Sequence, residues 1–317
     1  MTDQTLHFNR TAVIGVGLIG SSLALALRER GLTDEIVGID QDSAVLDRAR
    51  ALNIIDSAAP SLEAGVKGAD LIIVAAPVGA TGAILAELET HARDGAVIID
   101  VGSIKGDVAA AAATLPERLF FVPSHPVAGT EQSGPEAGFA SLFEGRWCIL
   151  TPLDRGDDAY RDAVDRVAAL WRAVGAQVEV MDAEHHDIAL AITSHLPHLI
   201  AFTLVGAADD LESVTEAEIV KYSAGGFRDF TRIAASNPVM WRDVFLHNRE
   251  AVIEALGRFT EELIALQRAI RWGDGDALHA AFERGRALRQ AIVEAGQETA
   301  APNFGRDRED GDGSKED

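Results

Sequence analysis

Three polar segments of the sequence contain residues that could carry acid–base chemistry. They include Ser103, His125, and the pair Ser194 and His198, each in or beside an apolar run. The unperturbed pKa of a histidine is about 6.5, which suits His125 to take a proton from a substrate hydroxyl near neutral pH. We therefore interpret His125 as a candidate general base. Two structural alternatives stay open, a His-Pro turn without chemistry at His125 and a helix N-cap at Ser103.

The third segment lies inside an otherwise apolar stretch. Helical spacing places Asp187, Ser194 and His198 along one face, and Pro197 bends the helix because it lacks a backbone donor. A buried histidine paired with a carboxylate is the structural alternative. A metal site would have to draw on four histidines: His185, His186, His195 and His198. No nearby cysteine or H-E-x-x-H motif supports such a site, and no G-x-S-x-G elbow supports a hydrolase, so we predict neither.

Residues near the N-terminus have the spacing of a dinucleotide-binding loop. Gly15, Gly17 and Gly20 form a G-x-G-x-x-G motif between an apolar run and an Ala/Leu-rich helix. The first glycine permits a tight turn, the second lets the backbone reach a pyrophosphate, and the third allows the helix to pack closely on the strand. Asp40, twenty residues beyond Gly20, can accept hydrogen bonds from ribose hydroxyls. The alternative is a glycine-rich turn in an ordinary strand–helix pair.

Asp40 also bears on which nicotinamide cofactor is bound. Its carboxylate would repel the 2′-phosphate of NADP, and the neighbours Gln41, Asp42 and Ser43 include no arginine or lysine to compensate. We therefore predict NAD. An N-cap role for Asp40 is disfavoured because Asp42 and Ser43 are better placed to cap the following helix.

One segment concentrates positive charge in a chain whose formal net charge is −22. Between residues 221 and 242 the charged residues are Lys221, Arg228, Arg232, Arg242 and one acid, Asp229. An anionic substrate needs such a place, so we predict a small-molecule anion as the ligand. The structural alternative is a surface ion pair between Arg232 and Asp229, three residues apart on a helix.

The composition excludes several classes of protein. The chain has 317 residues, 47% hydrophobic and 25% charged, which fits a substantial core spread over two domains. Its negative charge disfavours nucleic acid and anionic membranes as partners. The single cysteine, Cys148, lies in an apolar run and predicts a buried strand residue in a reducing compartment, the cytoplasm.

Two uncharged stretches are long enough to raise the question of a membrane segment. Three glycines interrupt the stretch between Arg10 and Arg28, and polar residues occupy the centre of the stretch 188–208. Because unpaired polar groups are costly in lipid, we predict no membrane segment in either.

The order of elements predicts an α/β domain followed by a helical one. Up to about residue 182, Val/Ile-rich runs alternate with helical stretches, the pattern of βαβ units around a parallel sheet. Two of these helices are predicted to end at Gly31 and Gly95. From residue 183 helical patterns take over, including 237–271 and 276–295. The predicted strands are Ala12–Val16, Ile36–Asp40, Leu71–Ala75, Val97–Val101, Leu119–Val122, Trp147–Leu150 and Val178–Val180.

We therefore predict three regions along the chain. They are a dinucleotide-binding domain at 1–182, a helical domain at 183–296, and a disordered acidic tail at 297–317.

Five long motifs run in order from residue 13 to residue 243: GVGLIGSS, DVGSIKG, SHPVAGTEQSG, TSHLPHLIAF and GGFRDFTRIAASNPVMWRD. Together they resemble the prephenate and arogenate dehydrogenase family of tyrosine biosynthesis. The resemblance implies a Rossmann-like N-terminal α/β domain with a parallel sheet, followed by an all-α C-terminal domain that forms a homodimer. It also implies NAD-dependent oxidative decarboxylation of prephenate to 4-hydroxyphenylpyruvate, of arogenate to tyrosine, or of both.

The resemblance further implies roles for individual residues. His125 resembles the catalytic histidine that bonds the ring hydroxyl, Ser103 the serine that shares that hydroxyl network, and Arg232 the arginine that holds a substrate carboxylate. Further substrate contacts are expected at Ser194, His198, Thr130, Gly225, Asp229 and Trp241. Cofactor contacts are expected at Gly15, Gly17, Leu18, Ile19, Gly20, Asp40, Ala76, Pro77 and Ser103.

Two other functions stay open. A Rossmann oxidoreductase of the β-hydroxyacid dehydrogenase or imine reductase type shares the glycine loop but leaves the SHLPH and GGFRDFTRIA segments unexplained. A non-catalytic NAD sensor would need the glycines and Asp40 but neither His125 nor Arg232. The neutral amide of Gln132 is compatible with the keto side chain of prephenate and with the amino side chain of arogenate.

Overall fold

The computed structural model describes residues 6–209 and 224–294, and the part up to residue 182 is built of strands and helices. The strands are β1 (Phe8–Ile14), β2 (Thr33–Ile39), β3 (Ser57–Ala58), β4 (Leu71–Val74), β5 (Val97–Asp100), β6 (Phe120–Val122), β7 (Ser124–Pro126), β8 (Trp147–Leu150) and β9 (Gln177–Val180). The helices are α1 (Leu18–Glu29), α2 (Ser43–Ala51), α3 (Leu62–Val66), α4 (Val78–His91), α5 (Gly106–Ala112) and α6 (Asp158–Ala173).

Six of these strands form one parallel sheet in the order β3-β2-β1-β4-β5-β6. The direction of winding reverses between β1 and β4, so the carboxyl ends of these two strands flank the crevice in which doubly wound sheets bind ligands. All four residues of β4 and of β5 are buried because helices cover both faces of the sheet. The predicted α/β fold is confirmed, and each of the seven predicted strands has a counterpart.

The prediction omits two short strands, β3 and β7, and β7 contains His125. β7 leaves the large sheet after Pro123 and pairs antiparallel with β8, so that His125 lies opposite Ile149. β9 extends this second sheet parallel to β8. None of the predicted strands contains His125, because a strand of three residues is too short to show a periodic pattern. Cys148 is fully buried in β8, as predicted.

The sequence predicts that two helices end at a glycine, and the structure confirms one of these ends. Gly31, with φ of +63°, follows α1 as predicted. The prediction for Gly95 is wrong, since α4 ends at His91 and Gly95 lies in the next turn. The guanidinium of Arg118 donates to the carbonyl oxygens of Ala92, at 2.8 Å, and Glu89, so a distant side chain replaces the glycine as the helix cap.

The described residues after 182 contain helices and turns but no strand. They are α7 (Ala183–Leu190), a π-helical turn (Ala191–His195), α8 (Leu196–Asp209), α9 (Gly225–Thr231), a 3₁₀ turn (Arg232–Ala235), α10 (Pro238–His247), α11 (Arg249–Trp272) and α12 (Gly275–Glu294). The helix predicted over 237–271 is interrupted between α10 and α11 at Asn248, whose side chain is buried and hydrogen-bonded. The predicted tail lies outside the described residues.

The chain divides into two compact units, 1–253 and 254–317. The described part of the second unit holds most of α11 and all of α12, joined at Gly273, with an ion pair of 3.1 Å between Glu262 and Arg284. The predicted boundary at residue 182 falls inside the first unit and remains a prediction.

One stretch, residues 183–208, is long and apolar enough to cross a membrane by length and composition. It buries His186, Asp187 and His195, and the first two bond directly to residues of the α/β part. Buried polar groups with protein partners are costly to move into lipid, so these contacts argue against a lipid-facing position for the first part of this stretch.

The glycine loop generates a prediction about stability. A Cβ at Gly20 would collide with the carbonyl oxygen of Gly15, whereas a Cβ at Gly17 would have no atom within 4 Å. We expect Gly20→Ala to lower the free energy of unfolding by about 1–3 kcal/mol, the usual result of overpacking, and Gly17→Ala to change it little. Urea denaturation of the cofactor-free protein measures both. Equal effects of the two substitutions would contradict this packing argument.

Candidate active site

The glycine loop leaves one face of its backbone open. Gly15 has a φ of +92°, and a Cβ there would lie 2.5 Å from the carbonyl oxygen of Ala75. Together with the crowding at Gly20, this requires glycine at both positions. Gly17 forms the N-cap of α1 without a side-chain cap, and the space around its Cα is free. The unsatisfied amides of a helix N-terminus facing open space fit a pyrophosphate.

The carboxylate of Asp40 is fixed beside this loop, at the end of β2. Its Oδ2 accepts from the amide of Val16 and its Oδ1 from the amide of Asp42, both at 3.0 Å. Asp42 caps α2 by accepting from the amide of Ala44 at 2.9 Å, as predicted, so Asp40 has no capping role there. Each carboxylate oxygen keeps a second lone pair, and the residues therefore fit a ribose with free hydroxyls.

The other predicted cofactor contacts also lie at the carboxyl edge of the sheet. Leu18 and Ile19 open α1 and are half-buried. Ala76 and Pro77 follow β4, and Pro77 is the N-cap of α4. The two segments stand on either side of the point where the winding of the sheet reverses.

A buried ion pair underlies the segment after β5. The Lys105 ammonium contacts the Asp100 carboxylate, and both side chains have at most 1% of their surface exposed. Lys105 Nζ also donates to the carbonyl oxygen of Ser124 at 2.8 Å, and Asp100 Oδ1 accepts from the Ser124 amide at 3.1 Å. Burial lowers the pKa of Lys105, and the Asp100 carboxylate opposes that shift. The pair therefore ties β5 to the residue that precedes His125.

His125 belongs to a buried chain of three side chains. Its Nδ1 lies 2.8 Å from Nε2 of His186, and His186 Nδ1 lies 2.8 Å from Oδ1 of Asp187. Burial holds the pKa of His125 well below its ordinary value, and the positive charge of Lys105 lowers it further. His125 is consequently uncharged at neutral pH, the state in which an imidazole can accept a proton.

The carboxylate of Asp187 also caps α5. It accepts from the amides of Lys105 and Gly106, both at 2.8 Å. The N-cap position of α5 is Lys105, which makes no side-chain capping bond. Ser103 lies two residues before that position and is half-buried. The capping role that the sequence left open for Ser103 is therefore filled by Asp187. Helical spacing assigned Asp187 to a face with Ser194 and His198, but its contacts are with α5 and His186.

The π-helical turn shapes the next part of the site. It buries His195, and His198 lies in the first turn of α8, with its Nδ1 2.8 Å from the carbonyl oxygen of Ser194. The ring of His198 stacks on Trp241 at a centroid distance of 3.6 Å. Burial lowers the pKa of His198 and lowers that of His195 to about 4, so both rings are neutral at pH 7.

Two buried donors in this region lack a hydrogen-bond partner among the described residues. They are Nε2 of His195 and Nε1 of Trp241. The side-chain Nδ2 of Asn248 lies 3.1 Å from Nδ1 of His195 and also donates to the carbonyl oxygen of Asp187 at 2.8 Å. Trp241 packs with Ile104, the residue after Ser103, so the helical part meets the segment after β5 here. Unsatisfied buried N–H groups are uncommon and mark a place where a ligand can supply the acceptor.

Arg232 is brought to the loop that follows β7. Its Nη1 lies 2.9 Å from Oε2 of Glu131, and its charge is close enough to His198 to lower the pKa of that ring. Thr130, next to Glu131, accepts from the amide of Gln132 at 3.2 Å. The sequence left open an ion pair between Arg232 and Asp229. The structure shows an ion pair between Arg232 and Glu131, 101 residues earlier in the same chain.

The remaining predicted substrate residues lie on α9. Gly225 and Asp229 are exposed there, and a Cβ on Gly225 would lie 4.0 Å from Oδ2 of Asp229. Lys221, part of the predicted positive segment, lies outside the described residues. Within the described ranges, no group of three or more His, Cys, Asp or Glu side chains is placed to hold a metal ion.

Sequence reasoning missed several residues of this site. Lys105 and Asp100 stand in a motif that we quoted for Ser103 alone, and a lysine five residues after an aspartate at a strand end was an available signal. His186 was considered only as a metal ligand, although its neighbour is a carboxylate. Glu131 and Asn248 carried no signal, because their partners are 101 and 61 residues away along the chain.

Comparison with known proteins assigns the family. Residues 23–180 match the nucleotide-binding domain of prephenate dehydrogenase, and residues 182–284 match its dimerization domain. The cyclohexadienyl dehydrogenase of Zymomonas mobilis is 41% identical over 290 residues, which cover 90% of this chain and 96% of that protein. The prephenate dehydrogenase of Bacillus subtilis is 35% identical over 92% of this chain and 77% of its own.

The structural comparison agrees. The crystal structure of prephenate dehydrogenase from Aquifex aeolicus, in complex with hydroxyphenyl propionate and NAD+, has a TM-score of 0.82 and is 34% identical, with 91% of this chain and all of that chain covered. The glycine loop and Asp40, the buried His125 and the helical residues around Trp241 thus lie in a chain similar to this family along nearly its whole length. The chain belongs to the prephenate dehydrogenase family and carries both its nucleotide-binding and its dimerization domain.

Proposed function

We propose that this protein catalyses the NAD-dependent oxidative decarboxylation of prephenate, of arogenate, or of both, in tyrosine biosynthesis. The observation that carries the proposal is His125, a buried and neutral imidazole whose Nδ1 is committed to His186. Its Nε2 is the ring atom available to a substrate hydroxyl. Family membership favours this reaction over a β-hydroxyacid dehydrogenase or imine reductase, and the buried base favours an enzyme over an NAD sensor.

The chemistry requires a base, a hydride acceptor and a place for carboxylates. Nε2 of His125 takes the proton of the ring hydroxyl as the carbinol carbon loses hydride. NAD, when bound, accepts that hydride. The carbon–carbon bond to the ring carboxylate then breaks and carbon dioxide leaves. The electron pair of that bond enters the ring and ends on the carbonyl oxygen, which recovers a proton. Ser103 shares the hydrogen bonds around the hydroxyl in this proposal.

Arg232 supplies the charge that a substrate carboxylate needs. The half-buried guanidinium lies at the end of α9 and is already oriented by a carboxylate, that of Glu131. A guanidinium can bind a carboxylate through two parallel hydrogen bonds, which fixes the orientation of the ligand as well as its position. The proposed pocket around it is completed by Ser194, His198, Thr130, Gly225, Asp229 and Trp241.

The proposed cofactor is NAD, held by Gly15, Gly17, Gly20 and Asp40, with Leu18, Ile19, Ala76, Pro77 and Ser103 as further contacts. The support is the open space at Gly17 and the fixed carboxylate of Asp40. A 2′-phosphate would meet that carboxylate, so NADP is disfavoured.

The proposed organisation keeps the boundaries 1–182, 183–296 and 297–317, and the proposed assembly is a homodimer in the cytoplasm. Support for a dimer comes from exposed apolar side chains in the second unit, among them Trp272 at 79% and Leu288 at 67% exposure. Large apolar groups in such number mark an interaction surface. A buried free thiol at Cys148 fits a reducing compartment.

The reaction is tested by crossing prephenate and arogenate with NAD and NADP in four reactions, followed by absorbance of the reduced nicotinamide. We expect reduction of NAD with at least one substrate and much slower reduction of NADP, because of Asp40. Silence in all four reactions, with NAD binding still detectable by calorimetry, would contradict the proposed activity.

The role of His125 is tested by His125→Asn. We expect kcat to fall by about 10²–10⁴-fold, the usual contribution of a general base, while the Kd for NAD stays nearly unchanged. Steady-state kinetics and calorimetry measure the two quantities. A variant that keeps most of its turnover would show that another group takes the proton.

The role of Arg232 is tested by Arg232→Gln. Loss of a charge-assisted hydrogen bond worth about 1.5–3 kcal/mol should raise KM for the substrate by about 10- to 100-fold, with a smaller change in kcat. Arg161→Gln is the matched control, since Arg161 forms an exposed pair with Asp158 on α6. An unchanged KM in Arg232→Gln would remove Arg232 from the proposed pocket.

A further inference from the structure

The protons in the buried chain behind His125 have a defined order. Oδ1 of Asp187 accepts from the amide of Lys105 and Oδ2 from the amide of Gly106. Backbone amides only donate and a carboxylate only accepts, so the third contact of Asp187, with Nδ1 of His186, requires a proton on that nitrogen. The orientation of His186 is therefore set by a group outside the proposed substrate pocket.

The tautomer of His186 in turn determines which nitrogen of His125 carries the proton. The tautomer of His186 with its proton on Nδ1 presents Nε2 as an acceptor, so Nδ1 of His125 must donate across the 2.8 Å contact. Nε2 of His125 then carries a lone pair, as a base requires. The opposite order would put a proton on Nε2 of His125 and leave that nitrogen unable to take another.

We propose that His186 and Asp187 are positioning residues for the reaction, which hold His125 in the tautomer that accepts a proton and share the positive charge that His125 acquires. This inference rests on the proposed function, in which His125 is the base. His186 and Asp187 act only through His125 and touch neither the substrate nor the cofactor in this scheme.

The surroundings of His125 show why it needs such support. Burial and the positive charge of Lys105 disfavour a positive charge on the ring. The Asp100 carboxylate is occupied by Lys105. When Nε2 of His125 takes the substrate proton, its Nδ1 proton shifts toward Nε2 of His186, whose other proton faces Asp187. The charge thus moves along two hydrogen bonds toward a carboxylate, and the same path returns the proton at the end of the cycle.

The pair is also held rigidly. His186 is fully buried, and Asn248 donates to the carbonyl oxygen of Asp187 at 2.8 Å. The two amides at the start of α5 hold the carboxylate from the other side. A group that sets a tautomer must not rotate, and these bonds leave Asp187 little freedom to do so.

The first test is Asp187→Asn in the full-length protein. With the carboxamide oxygen in the place of Oδ2, it still accepts from the amide of Gly106, while the nitrogen takes the place of Oδ1, loses the bond from the amide of Lys105, donates to Nδ1 of His186 and reverses both tautomers. We expect kcat to fall by about 10²–10⁴-fold, as a wrong tautomer does in other enzymes, with KM for the substrate and Kd for NAD changed less than threefold. Asp182→Asn is the matched control, because exposed Asp182 caps the same helix through the amide of His185. We expect that control to keep kcat within twofold.

A second test covers the case in which Asp187→Asn does not fold. His186→Phe keeps a buried ring but removes the acceptor for His125, and His185→Phe changes the exposed neighbour as a control. We expect a large loss of kcat in His186→Phe alone. In the His125→Asn background the same substitution should lower kcat less than twofold further, since a residue that acts through His125 has nothing left to position.

The outcomes separate this inference from the proposed function. If the unmodified protein reduces no nicotinamide with either substrate, the proposed function fails first. If it is active and both Asp187→Asn and His186→Phe keep kcat within threefold, only the positioning role is overturned. Multiplicative losses in the double variant would likewise overturn it, because they would show a general structural effect.

Discussion

The buried charges between β5 and α7 are the constraint on which the rest of this structure depends. Taking Lys105, Asp100 and Asp187 out of water costs several kcal/mol for each ion unless every polar atom finds a partner. The partners come from four places in the chain: the backbone at Ser124, the amides at the start of α5, the ring of His186 and the amide of Gly102. These elements cannot move apart without leaving an uncompensated buried charge.

That constraint explains why the base sits on a short strand rather than a loop. β7 is only three residues long, and its pairing with β8 would give little stability alone. The Asp100 carboxylate accepts from the amide of Ser124, and the Lys105 ammonium donates to the carbonyl oxygen of Ser124. These two bonds fix the position of the strand at the residue before His125. On the other side, Trp241 and Val244 pack against Ile104, so α10 is anchored to the same segment. The base is thereby placed by contacts from both the α/β part and the helical part.

Much of this architecture follows from local patterns in the sequence. The parallel sheet, the glycine loop and Asp40 were predictable because their signals lie within a few residues or at a fixed spacing. The parts that were not predicted involve long-range partners. Arg118 ends α4 in place of Gly95, Asp187 caps α5 in place of Ser103, and Glu131 meets Arg232 across about a hundred residues. A side chain that replaces a local cap leaves no trace in the local pattern, so periodicity cannot find it.

The charge balance around His125 has a consequence for an anionic substrate. A carboxylate bound near a histidine favours the imidazolium and raises the pKa of the ring, and a base that is already protonated cannot act. Burial and the positive charge of Lys105, which is itself fully buried, have the opposite effect. The proposed base can therefore stay neutral while the pocket beside it holds negative charge. A surface arginine could attract the substrate equally well, but burial of the ring and a buried cation beside it are needed to offset the effect of the substrate on the base.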